Sequence, residues 1–131
     1  MERSADYLGA VGIGVTSLER SAAFYIDALG MKQIMTFKLP EMDEIILSHP
    51  GRSALVLMHW TDGSTQNYLN APVKLVFYVT DIAGVTARIR AAGFEVTREP
   101  TPAPGLGNAL VAFGKDPDGY VLELIQPAAK A

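Results

Sequence analysis

The sequence predicts an α+β fold of two tandem βαβββ modules whose curved sheets form a cleft, and three observations carry that reading. The first is an internal echo. Val15-Thr16-Ser17-Leu18 returns as Val79-Thr80-Asp81-Ile82, and Ala28-Leu29-Gly30-Met31 returns as Ala91-Ala92-Gly93-Phe94. The second is an order of periodicities that occurs twice: one alternating stretch, one stretch with helical spacing, then three more strand-like runs. The third is Asp116-Pro117-Asp118-Gly119-Tyr120-Val121-Leu122-Glu123-Leu124-Ile125-Gln126, a proline-glycine turn feeding a strand with a single acid among apolar residues. A carboxylate there must face water, pair with a cation or hold a metal, because burying it alone is costly.

In chain order, Leu8 to Val15 alternates bulky Val11, Ile13 and Val15 with Ala10, Gly12 and Gly14, which predicts a strand with one nearly bare face. Ser17 caps a helix bearing Leu18, Ala22, Tyr25 and Leu29 at helical spacing, and Gly30 stops it. Met31 to Leu39 and Ile45 to His49 read as strands either side of an acidic turn, Glu41-Met42-Asp43-Glu44; Ser53 to Trp60 is another, after Pro50-Gly51. Residues 61–72 are polar and aperiodic, so a linker is expected between a first module at about 8–60 and a second at about 73–127, the whole forming one domain over 1–131.

The second module repeats the scheme. Val73 to Thr80 is a strand, Asp81 caps a helix with Ile82, Val85 and Ile89 on one face, and Gly93 ends it. Strands follow at about Phe94 to Thr97, Ala109 to Gly114 and Tyr120 to Gln126, with a proline-rich loop from Pro100 to Gly107 that could serve as a lid. Each sheet would carry its helix on the convex side and leave the concave side for a small ligand.

Composition narrows the partners. With 131 residues and 49% hydrophobic content a real core is affordable in one domain. No apolar run is long enough for a membrane span, and Met1 to Asp6 lacks the apolar core of a secretion signal, so no membrane partner and a cytoplasmic location are expected. The absence of cysteine removes disulfides, thiolate ligands and a cysteine nucleophile. A formal charge of −3 with scattered basic residues gives no footprint for nucleic acid, which leaves a small molecule as the expected partner.

The stretches from Val11 to Tyr25 and from Asp116 to Gln126, together with the repeat, resemble the vicinal oxygen chelate superfamily of glyoxalase I, bleomycin-resistance proteins, fosfomycin-resistance transferases and extradiol dioxygenases. The resemblance covers nearly the whole chain and implies the fold more firmly than the reaction. It also implies metal ligands from the first and last strand of each module. Carried over singly, those positions fall on Ala10, Val56, Lys74 and Glu123, of which only Glu123 is a ligand type. His49 and His59 are expected to be structural. No cofactor is expected from these residues, and a divalent metal is disfavoured.

Lys74 and Glu123 are candidates for an ion pair, with the lysine presenting a cation to a ligand oxygen or, if buried, acting as a base or Schiff-base amine. The bare face of Ala10 and Gly12, with Val56, Met58, Trp60 and Tyr78 around it, is the candidate ligand wall. The sequence thus favours a small-molecule binder of apolar or aromatic ligands; the alternative is a glyoxalase-like lyase or isomerase of the lactoylglutathione lyase type using a metal or the Lys74 and Glu123 pair. A homodimer is implied by the resemblance.

Overall fold

The computed structural model describes residues 7–129. Ser17 opens the first helix by accepting the Arg20 N–H at 3.2 Å, and Gly30 closes the segment at φ 74°, a left-handed value that glycine takes without strain. That helix, α1 (Leu18–Asp27), buries Ala22, Phe24 and Tyr25. Asp81 caps α2 (Ile82–Ala91) in the same way through the Gly84 N–H, and Ile82, Val85 and Ile89 form its buried face as their spacing predicts.

The strands β1 (Ala10–Gly14), β2 (Lys32–Lys38), β3 (Met42–Ser48) and β4 (Ala54–Trp60) form one sheet in the order β1-β4-β3-β2. The strands β5 (Lys74–Tyr78), β6 (Val96–Ala103), β7 (Ala109–Lys115) and β8 (Val121–Gln126) form a second in the order β5-β8-β7-β6. Within each module the first and last strands pair in parallel, as a helical crossover requires, and the rest are antiparallel. Strand alternation sends Ile13 and Leu57, and likewise Leu122 and Leu124, toward the helices, where they join one apolar core that spans both modules. Phe24 of α1 meets Phe94 edge-on at 5.3 Å between ring centres, so the two modules share that core.

Three expectations need correction. Met42, Asp43 and Glu44 are strand residues, because pairing with both β2 and β4 outweighs their turn-like composition. The predicted loop from Pro100 to Gly107 is in large part β6, followed by a short 3-10 turn at Pro104–Leu106. Prolines are tolerated there because β6 is the outer strand of its sheet and its ladder is interrupted between Arg98 and Thr101. A free lid of that length is therefore not present. No helix among the described residues is long and apolar enough to cross a membrane. The reading of Met1 to Asp6 lies outside the described residues.

The Asp116 to Tyr120 turn does more than reverse the chain. Asp116, 2% exposed, accepts the Asp118 and Tyr120 N–H groups on Oδ1, each at 2.9 Å, and the Tyr25 hydroxyl on Oδ2 at 2.7 Å. Asp118 accepts the Thr16 hydroxyl at 2.6 Å, and Tyr120 donates to the Gly14 carbonyl at 2.6 Å. The turn of the second module is thereby pinned to β1 and α1 of the first. Burial pushes the Asp116 carboxyl above its ordinary range, with its hydrogen bonds opposing; burial, then the Asp116 charge, holds the Tyr25 phenol well above its own.

Candidate functional site

The two modules share one register, which locates equivalent positions without reference to any other protein. Ala10 is opposite Ala54 in the first ladder, and Lys74 is opposite Val121 in the second. Two residues on, Gly12 is opposite Val56 and Val76 is opposite Glu123. Ala10 with Val56 and Lys74 with Glu123 are thus matching pairs.

In the second module this pair is made. Lys74 Nζ lies 2.8 Å from Glu123 Oε1, with the lysine side chain 53% exposed and the glutamate 13% exposed. The burial that a base or Schiff-base role would require of Lys74 is absent, because its strand is the sheet edge. The ammonium has three N–H donors, so two remain for another oxygen after Glu123 takes one. Val76 and Tyr78 continue the same face of β5, open to solvent at 45% and 75%.

The first module presents no charge at its matching pair, and its bare face is already occupied. A Cβ added at Gly12 would lie 3.1 Å from Met58 Cε; one at Gly14 would lie 3.2 Å from the Tyr68 ring and 3.4 Å from Trp60. Tyr68, from the linker, stacks on His59 with ring centres 5.8 Å apart and accepts the Trp60 N–H at 3.2 Å. The volume expected to be free over these glycines is filled by the chain's own Met58, Trp60 and Tyr68. Val56 remains half-buried beside them, and Ala10 is exposed at the start of β1.

Both histidines are held by backbone. His49 Nε2 lies 2.8 Å from the Leu29 carbonyl, and His59 Nδ1 lies 2.9 Å from that of Val15. Sequence reasoning missed Tyr68, which carries no periodic signal, and the cross-module bonds of Asp116 and Asp118. It also missed an open cavity of about 1000 Å³ between the start of the β1 and β4 pair and β5, lined in part by Arg52 and Lys74.

A fold of two βαβββ modules defines a class, and the comparisons agree with it. A model of the Glyoxalase/Bleomycin resistance protein/Dioxygenase superfamily matches residues 7–124, and the chain belongs to that superfamily. The lactoylglutathione lyase of Salmonella typhimurium is 36% identical over 118 residues, covering 86% of each chain. Among solved structures, glyoxalase I from Zea mays superposes with a TM-score of 0.79 at 26% identity, covering 94% of this chain and 45% of the maize chain. The trypanothione-dependent glyoxalase I of Leishmania major gives 0.75 at 25% identity, covering 93% and 87%.

These relatives overturn one expectation. Lactoylglutathione lyases are metal-dependent, so the view that a divalent metal is disfavoured in a chain of this kind does not stand. The residues at the matching positions nevertheless do not fit a metal. Ala10 and Val56 have no donor atom, Lys74 brings a like charge, and Glu123 is already paired with it. Among the described residues no three His, Cys, Asp or Glu side chains lie together as a ligand group.

Proposed function

We propose that this chain is an enzyme of the lactoylglutathione lyase type, a lyase or isomerase acting on a small molecule, rather than a passive binder. The identity of 36% over most of both chains supports this, and the Lys74 to Glu123 contact of 2.8 Å is the observation that gives it residues. Glu123 accepts the C–H proton of a hydroxyl-bearing carbon next to a substrate carbonyl and returns it to the former carbonyl carbon, while the hydroxyl proton passes to the former carbonyl oxygen, so substrate and product are isomers and nothing is oxidised or reduced overall. Lys74 holds the carbonyl oxygen through its remaining donors and stabilises the negative charge that develops there. Val76 and Tyr78 on one side, and Val56, Met58 and Trp60 of a first module on the other, provide an apolar wall that holds the substrate and excludes water.

The test is formation of S-lactoylglutathione, followed in purified protein with and without an added divalent metal. No turnover of thiol adducts of 2-oxoaldehydes under either condition would remove the reading. A homodimer belongs to it, with modules of two chains lining each cleft. Met35 and Phe37 share a face with Gly12 and Gly14 through the ladder and are 50% and 41% exposed, which leaves an apolar sheet face for a second copy to cover. Sedimentation equilibrium should give a dimer at micromolar concentration; a monomer alone would refute that part.

A further inference from the structure

The cavity between the first module and β5 adjoins the face that carries Glu123: Lys74, Val76 and Tyr78 line it, whereas Glu123 does not. Its volume, about 1000 Å³, is at the upper end for small-ligand clefts. The floor is made by core residues: Leu55 is 5% exposed, and Phe77 packs against the shared core. Tyr78 stands at the side with its ring in solvent.

Charge identifies the occupant. The chain has 14 Asp and Glu against 11 Lys and Arg, yet Arg52 and Lys74 line the cavity and no Asp or Glu does. Lys74 is partly neutralised by Glu123, whereas none of the four ion pairs among the described residues includes Arg52. The backbone of Arg52 is fixed in a turn by its N–H bond to the His49 carbonyl at 3.0 Å, next to Ser53, whose hydroxyl donates to the Leu8 carbonyl at 2.8 Å. A guanidinium lining a cavity with apolar residues recognises a planar or tetrahedral anion through paired N–H donors.

We propose that this cavity is a second ligand site, for an organic anion with an apolar body: a carboxylate or sulfonate held by Arg52, its ring or branched alkyl part against Leu55, Phe77 and Tyr78. The site shares Lys74, Val76 and Tyr78 with the face used by the lyase reading, but its anchor is Arg52 and not Glu123, so either reading can fail without the other.

Fluorescence titration with 8-anilinonaphthalene-1-sulfonate, set against neutral N-phenyl-1-naphthylamine, tests it. The anion should bind at one per chain, about tenfold or more tighter than the neutral probe. Arg52→Glu, at an exposed position, should weaken the anion by about tenfold, the equivalent of one charge-assisted contact, and leave the neutral probe within about twofold. Circular dichroism and the urea midpoint verify that this variant is folded. Glu123→Gln, which tests the lyase, should leave anion binding unchanged or tighter, since it releases Lys74. Equal affinity for the two probes, no effect of Arg52→Glu, or loss of anion binding in Glu123→Gln would each overturn the site.

Discussion

The two modules share a register but not a chemistry. At matching positions the first carries Ala10 and Val56, and the second carries Lys74 and Glu123 in contact at 2.8 Å. The turns before the last strands differ as well. Arg52 lies exposed in the first, whereas Asp116 in the second is 2% exposed and bonded to α1 across the module boundary. A repeated fold therefore does not imply a repeated site. The backbone ladder keeps both modules alike, while the side chains at the matching positions are apolar in one and charged in the other, and the joint between the modules lies in the turn before β8.

The largest effect should come at that joint. Asp116→Ala leaves the Tyr25 hydroxyl and two N–H groups without their acceptor, and should cost about 2–4 kcal/mol by urea unfolding. Arg52→Ala in the matching turn should stay within about 0.5 kcal/mol. The pH dependence has a definite sign. A carboxyl whose folded pKa is raised stabilises the fold below its unfolded pKa, and that contribution is lost as pH rises through the folded value. The stability gap between wild type and Asp116→Asn should therefore narrow as pH rises from about 4 toward neutrality. A widening gap would show that the ionised form is the favoured one, contrary to the burial argument.

Next comes catalysis. Glu123→Gln keeps shape and removes the proposed proton acceptor, so kcat should fall by about a hundredfold or more. Val56→Ala at the matching position of the first module should change KM with kcat little altered, because it alters only the wall. Equal losses of kcat in both variants would erase the proposed division between the modules.

How far this was legible in the sequence depends on the kind of contact. The helices were legible, since Ser17, Asp81 and Gly30 act through their own backbone neighbours. The pairing of Lys74 with Glu123 was legible because both lie on regular strands, where parity and register carry position from one strand to the next. Only the start of β6 was, because Pro100 and Pro102 read as a loop unless the strand is known to be at an edge. Tyr68 over Gly14 was not legible either, since a linker has no period to place its side chains. The bond from Thr16 to Asp118 joins distant parts of the chain that only the packing of the finished modules brings together.

The ion pair itself should be a modest stabiliser. Lys74 is half exposed, so solvent screens much of the attraction, yet Glu123 is 13% exposed and would lose its only ion-pair partner among the described residues. Lys74→Met should cost about 1–2 kcal/mol, and adding Glu123→Leu should recover part of that, a non-additivity measured by a double-mutant cycle. Additive effects near zero would mean that the contact contributes nothing to the fold and that any value of the pair is chemical.

The smallest effects concern the filled face of the first module, and they separate two kinds of filling. At Gly12 the obstacle to a new methyl is the end of Met58, a flexible thioether that can turn aside; replacing glycine in a strand also lowers the entropy lost on folding. Gly12→Ala should therefore change stability by less than about 0.5 kcal/mol in either direction. At Gly14 the obstacle is the Tyr68 ring, stacked on His59 and close to Trp60, so the ring must move as a body. Gly14→Ala should cost about 1 kcal/mol and alter the emission of Trp60, the chain's single tryptophan. In a Tyr68→Ala background the Gly14→Ala cost should vanish. Its persistence there would show that Trp60 or the backbone, rather than the linker tyrosine, closes this face.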